Sequence, residues 1–344
     1  MNTQKHIVAI RFSAMGDVAM CVPVIKLLLQ QHPELSITFV SHKKLAPFFA
    51  NIENCKFIGA DLKGEHKGFA GLFRLFTLIS NKQKIDAIAD LHSVVRTQVL
   101  KLFFSLTGKK IFTIDKGRAE KKHLTTKQKS NFHPLKSGFQ RYADVFESMG
   151  YSINLQSSLL NTTTLPLPEH AKPYFENKYC IGIAPFAAHA EKMYDANKMR
   201  KVVEELSKLN INILLFGGGT QEKNILDGWI NECYSNIINI TGKFNLQEEL
   251  AIISHLKLMC SMDSSNAHLA SMYNVPVVSI WGPTHPYAGF LGWGQSDENV
   301  VSVDLPCRPC SVYGNKKCWR GDHACMEKIT PEIIISKIQF IVSN

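Results

Sequence analysis

Residues 256–284, LKLMCSMDSSNAHLASMYNVPVVSIWGPT, constrain the fold more than any other stretch of the chain. LKLMCSM is an apolar run of strand length. The polar turn Asp263-Ser264-Ser265-Asn266 then supplies N-cap chemistry for a helix beginning near Ala267. Ala267, Leu269, Ala270 and Met272 give that helix small and apolar packing positions, and Asn274 ends it. Residues 275–281 form a second buried-strand run, closed by Gly282-Pro283-Thr284. Two strands joined by a helix of about ten residues make a right-handed parallel unit. Ligands of such units sit at the carboxyl ends of the strands. Two polar turns converge there, 263–266 and 282–284, with His268 just inside the helix. Free N–H groups and the positive dipole end make the helix start a seat for a diphosphate. An ordinary capped helix is the plain alternative.

The amino-terminal half repeats the strand–turn–helix theme. IVAI (7–10) is a buried-strand run, RFSAMGD the turn after it, and 18–30 a helical pattern that Pro23 would kink or mark as a first turn. The dinucleotide fingerprint needs three glycines; this turn has only Gly16, which argues against a nicotinamide or flavin enzyme. Asp17 stands at the carboxyl end of the first strand, near a helix N-terminus. The dipole keeps a carboxylate there ionised, able to act as base toward a hydroxyl; a simple N-cap is the alternative. Further strands are expected at 36–41, 55–59, 85–91 and 111–114, and helices at 45–50, 68–81 and near 134–149. From 101 to 150 the chain holds eleven Lys and Arg against four Asp and Glu, most densely in a loop long enough to cover a site.

NTTTLPLPEHAKP, within 154–172, is the best boundary. A second alternating series follows, with strands at 179–184, 211–216 and 237–240 and helices at 196–209, 221–233 and 246–254. The expectation is two facing doubly wound α/β domains, 1–160 and 173–328, joined by a linker at 161–172 with the active cleft between them. Residues 329–344 form a last helix capped by Thr330. Gly217-Gly218-Gly219-Thr220 could cradle a phosphate, but no Gly-Lys-Ser/Thr follows.

A formal charge of +10 points to an acidic partner, while sparse aromatic interleaving and the absence of any nucleic-acid motif argue against DNA or RNA. With 45% hydrophobic and 20% charged residues, no apolar run of about 18 and no signal-peptide pattern, the chain is expected to be globular and cytoplasmic. Its nine cysteines should then be mostly reduced. Cys21, Cys55, Cys180, Cys233 and Cys260 lie in apolar contexts and read as small core residues. Cys307, Cys310, Cys318 and Cys325, with His323 nearby, could bind zinc, although the second pair lacks the spacing of a zinc ribbon.

DSSNAHLASMYNVPVVSIWGPT resembles the donor-binding signature of the family 9 glycosyltransferases, the heptosyltransferases of lipopolysaccharide core assembly, with Ser265 where that family commonly has Gly. RFSAMGDVAMCVPVIKLL is similar to the family's N-terminal Ser-x-x-Gly-Asp turn with a later Pro, and His92-Ser93-Val94-Val95-Arg96 to its acceptor-facing segment. The resemblance covers nearly the whole chain. It implies a GT-B fold of two Rossmann-like domains with parallel sheets, the first binding the acceptor and the second a nucleotide-sugar. By it Asp17 is the catalytic base, and Ser13, Met15, Gly16, His92 and Arg96 line the acceptor side. The basic loop with Lys121 and Lys122, and then Arg141, meets phosphorylated inner-core sugar on lipid A. On the donor side, Lys192 neutralises the diphosphate and Glu222 holds the ribose. Asp263, Ser264, Ser265 and His268 complete the seat, closed by Gly282, Pro283 and Thr284. The implied reaction is an inverting transfer of heptose from ADP-heptose to a lipopolysaccharide inner-core acceptor, with no metal and no cofactor. The implied protein is a monomer that touches the cytoplasmic face of the inner membrane and whose last helix returns to the first domain. Two rivals remain: a sugar-nucleotide epimerase on the same fold, and a non-catalytic basic binding protein with a zinc-stapled tail.

Overall fold

The computed structural model describes residues 4–82, 84–126, 132–160, 162–230 and 234–343. Cys233 and residues 127–131 of the basic loop lie outside the described residues. The chain divides into two compact units, one of Met1–Lys116 with Gly138–Asn161, the other of Gly117–Ser137 with Thr162–Asn344.

The first unit is built on β1 (Lys5–Ile10), β2 (Leu35–His42), β3 (Cys55–Ala60), β4 (Ala87–Asp90) and β5 (Lys110–Thr113). They form one sheet in the order β3-β2-β1-β4-β5, every pairing parallel. A parallel sheet is covered on both faces, so its central strand reads as a continuous apolar run; β1 is buried from His6 to Ile10. Leu72, Leu75 and Ile79 of the Gly68–Ser80 helix and Leu100, Phe103 and Phe104 of the Val95–Leu106 helix close over Val8, Ile10 and Ile88. The helix after β1 runs Met15–Gln31, starting three residues before the apolar pattern does. Gly16 and Asp17 therefore lie in its first turn, where the Asp17 carboxylate accepts the Ala14 N–H at 3.2 Å. Pro23 sits in the helix interior and marks neither end.

The second unit carries β6 (Tyr179–Ala184), β7 (Ile211–Leu215), β8 (Ile237–Asn239), β9 (Leu258–Met262), β10 (Val277–Ile280) and a short edge strand β11 (Val300–Val301) that the sequence did not signal. Their order is β11-β10-β9-β6-β7-β8, again all parallel. Counted from its own first strand, this is the 3-2-1-4-5-6 order of the dinucleotide-binding fold. The β9–β10 crossover helix is Ser265–Ser271, shorter than expected and begun two residues earlier.

Two segments pack elsewhere than expected. The last helix, Pro331–Ser343, puts Ile334 and Ile338 into the core of the second unit, beside Met199, Val202 and Leu206 of the Ala196–Leu206 helix. Its apolar i, i+4 pair finds a matching stripe there, whereas the sequence expectation sent it to the first domain. The segment Gly117–Ser137, expected in the first domain, belongs to the second unit. Leu135 N–H donates to Tyr287 O at 2.9 Å, and the Phe132 ring lies 5.0 Å from those of His285 and Tyr287. Among the described residues no helix is long and apolar enough to cross a membrane.

Candidate functional site

In doubly wound sheets ligands bind outside the carboxyl ends of the strands, where the strand order reverses. In the first unit that point lies between β1 and β4, and the side chains following those two strands are joined across it. Arg11, buried after β1, donates to Leu91 O after β4 at 2.6 Å and pairs with the Asp17 carboxylate at 2.8 Å. Its guanidinium also lies 5.4 Å from the Tyr142 ring centre. Burial opposes the Arg11 charge, but Tyr142 and Asp17 outweigh it and push the guanidinium pKa up. The Asp17 carbonyl accepts from Tyr142 Oη and Cys21 Sγ, both at 3.4 Å. Burial raises the pKa of both groups, the Cys21 thiol to about 12.

His92 is fixed in one form. Its Nδ1 accepts the Phe12 N–H at 3.3 Å, which leaves Nε2–H as the donor of a neutral ring. Burial, then Arg11 and Lys116, hold its pKa down to about 3. The turn carrying it is tied by buried Asp90, whose Oδ1 accepts the N–H groups of His92 at 3.0 Å and Ser93 at 2.8 Å. Burial likewise depresses His6, at the amino end of the central strand β1, to about 4. A histidine that is neutral when folded but titrates near 6.5 when unfolded lowers stability on protonation. Stability should be full above pH 6.5 and fall as the pH drops, down to about 4 for His6 and about 3 for His92, by up to about 1.4 kcal/mol per pH unit for each ring. Thermal unfolding across that range checks this, and His6→Gln should flatten the fall.

The remaining acceptor-side candidates divide. Ser13 and Met15 are exposed and Gly16 half-buried after β1, while Arg96 is exposed in the first turn of the helix after β4. Arg141 is buried and donates to Asp115 O, just past β5, at 3.3 Å. All of these gather at the carboxyl edge of the first sheet. Lys121 and Lys122 belong to the second unit, where the buried Lys121 Nζ lies 4.3 Å from the Phe290 ring centre and Lys122 is exposed.

The second unit's order reverses between β6 and β9, and its central ion pair spans that point. Lys192, past β6, reaches Asp263, directly after β9, at 2.9 Å; Thr284, past β10, donates to the same carboxylate oxygen at 2.8 Å. Asp263 therefore ties three strand ends together and does not cap the helix. Gly314, at φ +74°, gives Lys192 its path, because a Cβ there would collide with Lys192 Cγ and Cδ. Ser264 is the N-cap residue without a side-chain cap bond; its hydroxyl lies 3.1 Å from that of Ser261. Ser264 and Ser265 stay half-buried at the helix start. His268 is buried beside Asp263, Trp281 and Gln295, around a cavity of about 10 Å³. Glu222 is spent partly on the backbone, accepting the Gly218 N–H at 2.6 Å past β7.

Sequence reasoning missed Arg308. This buried side chain donates to Gly282 O and Val303 O, each at 2.5 Å, and to Thr284 O at 3.1 Å. Cys310 N–H and Ser311 N–H add bonds to Pro283 O at 3.0 and 3.2 Å. The cysteine-rich segment thus clamps the Gly282–Pro283–Thr284 turn from beneath. Among the described residues no three His, Cys, Asp or Glu side chains are grouped to hold a metal. Burial, then Cys307 and Cys318, raise the Cys310 thiol.

The family described as glycosyltransferase family 9 (heptosyltransferase) matches residues 63–319. The lipopolysaccharide core heptosyltransferase OpsX of Haemophilus influenzae is 24% identical over 307 residues, 87% of this chain and 84% of its own length. The family 9 glycosyltransferase of Veillonella parvula superposes with a TM-score of 0.75 at 19% identity, over 99% of this chain and 98% of that one. The E. coli heptosyltransferase WaaC with ADP gives 0.68 at 17%, over 98% and 99%. Both structural likenesses match the two parallel sheets of a GT-B fold. With a family match across most of its length and a charged pair at the reversal point of each sheet, the chain is a glycosyltransferase and belongs to family 9.

Proposed function

We propose that the chain transfers heptose from ADP-heptose to a lipopolysaccharide inner-core acceptor, inverting the anomeric centre without a metal. The observation that carries this reading is the Lys192–Asp263 pair across the reversal point of the second sheet. A phosphate arriving there meets an ammonium already in position, beside the N–H groups at the start of the Ser265–Ser271 helix. Support also comes from the relatives: OpsX is named a lipopolysaccharide core heptosyltransferase, and the E. coli enzyme is described with ADP.

In this mechanism the Asp17 carboxylate takes the proton of an acceptor hydroxyl, and the resulting oxygen attacks the anomeric carbon from the face opposite the diphosphate. The carbon–oxygen bond to the diphosphate breaks, and the nucleoside diphosphate leaves with the electron pair. Lys192 and the helix-start N–H groups meet the charge that grows on that leaving group. His92 Nε2–H and Arg96 orient the acceptor, Arg96 through a phosphate. Glu222 has one carboxylate oxygen on the Gly218 N–H and offers the other to the ribose.

Lys192→Ala tests the donor seat. A charge-assisted hydrogen bond contributes about 1.5–3 kcal/mol, so ADP affinity by calorimetry should fall roughly ten- to a hundredfold. Unchanged affinity would remove the diphosphate from Lys192.

A further inference from the structure

Two neighbouring helices of the first unit leave large apolar side chains in water. On the Val95–Leu106 helix, Val95, Val99, Leu102 and Leu106 recur at i, i+4, i+7 and i+11, one face of a helix. On the Gly68–Ser80 helix, Phe69, Phe73 and Phe76 recur at i, i+4 and i+7. The two stripes meet at Phe103, whose ring lies 5.1, 5.5 and 5.6 Å from those of Phe69, Phe73 and Phe76. Val95, Leu102, Leu106, Phe69 and Phe73 are each more than half exposed, from 51% to 81%. Single exposed apolar residues are ordinary, but five on two packed helices form a contiguous patch.

Cations neighbour this patch along the chain. Exposed Arg96 adjoins Val95 at one end of the second helix, and exposed Lys110 follows Leu106 at the other. Arg74, also exposed, stands beside Phe73 with its guanidinium on Glu65 O at 2.7 Å. An apolar face neighboured by arginine and lysine, on a chain of formal charge +10, complements an anionic bilayer surface: the side chains enter the acyl boundary and the cations meet headgroups. The stripe also begins at the functional end of the unit, because Val95 and Arg96 open the helix that follows β4 and His92.

We propose that this double-helix face docks the enzyme on an anionic phospholipid surface, with Val95 and Arg96 placed where a lipid-anchored acceptor would rise from the bilayer. The position of the acceptor rests on the heptosyltransferase reading; the docking itself does not.

Co-sedimentation of the full chain with phosphatidylethanolamine–phosphatidylglycerol vesicles tests it. The wild-type chain should sediment with these vesicles, less so with phosphatidylcholine alone or at high salt. Leu102→Glu with Leu106→Glu should cut the partition coefficient about tenfold or more. Because these side chains face water, thermal unfolding and transfer to a detergent-dispersed acceptor should stay at wild-type levels. Wild-type protein remaining in the supernatant, or variants that bind as the wild type does, would overturn the proposal. So would a wild-type dimer in gel filtration that the double variant turns into a monomer, since the face would then join two copies. Vesicle binding without any heptosyl transfer would instead overturn the functional reading and leave the docking surface standing.

Discussion

Asp17→Asn will lower heptosyl transfer by about 10²- to 10⁴-fold while leaving ADP affinity unchanged. Asparagine keeps the size of the side chain and can still accept the Ala14 N–H bond, but it cannot take a proton from a hydroxyl. Arg11 is the complication, because the substitution removes the counter-charge 2.8 Å from a buried guanidinium. The Leu91 carbonyl and the Tyr142 ring still hold that group, and the Asp17 side chain is about one-third exposed. The stability cost should therefore be of order 1 kcal/mol, too little to account for the lost rate. Single-turnover rates, ADP titration and thermal unfolding of the same preparation separate the effects. Transfer at the wild-type rate would dismiss Asp17 as the base, whereas loss of rate together with loss of the fold would show a structural role for the Arg11 pair.

Arg308→Leu should give the largest stability loss. Three carbonyls, of Gly282, Val303 and Thr284, lose a buried charged donor at once. An unsatisfied buried polar group costs about 1–3 kcal/mol, and a few waters entering the gap will recover part of that sum. A net loss of about 3–5 kcal/mol is expected, roughly 10 °C in the unfolding midpoint of a unit this size. Arg308→Lys should recover only a fraction, because an ammonium lacks the planar fork that reaches three acceptors. ADP affinity should fall as well, since Thr284 is the hydroxyl that positions the Asp263 carboxylate. Scanning calorimetry with ADP titration checks both parts. An unfolding midpoint equal to that of the wild type would show that the clamp contributes nothing.

The contrast between these two residues explains what was legible in the sequence. Asp17 follows an apolar strand in a turn whose chemistry is local, so its place at the sheet edge could be read directly. Local chemistry read Asp263 only as part of a capping turn, and its place in the donor seat came with the family resemblance; its partner Lys192 lies far back in the chain and meets it because β6 and β9 pair. Arg308 had no local signal, being one charged residue between cysteines whose spacing suggested a metal. Its burial arises from the way the tail folds beneath the 282–284 turn. The Arg118–Leu124 helix was missed because RAEKKHL is nearly all polar, with Leu124 its one strongly apolar residue. That this segment belongs to the second unit depends on Leu135, Phe132 and Lys121 meeting residues 285–290, which no periodicity reports. Strand runs survived translation best, since parallel strands buried on both faces are apolar throughout; β6 spans the expected 179–184.

The proposed reaction needs both an acceptor hydroxyl activated by Asp17 and a donor diphosphate held by Lys192. Purified protein incubated with ADP-heptose, with and without a lipid-A-type inner-core acceptor, tests this most directly through the release of ADP. ADP release should depend on the acceptor and equal the heptose transferred. Release at the same rate without acceptor, or conversion of the nucleotide-sugar into an isomer, would contradict it.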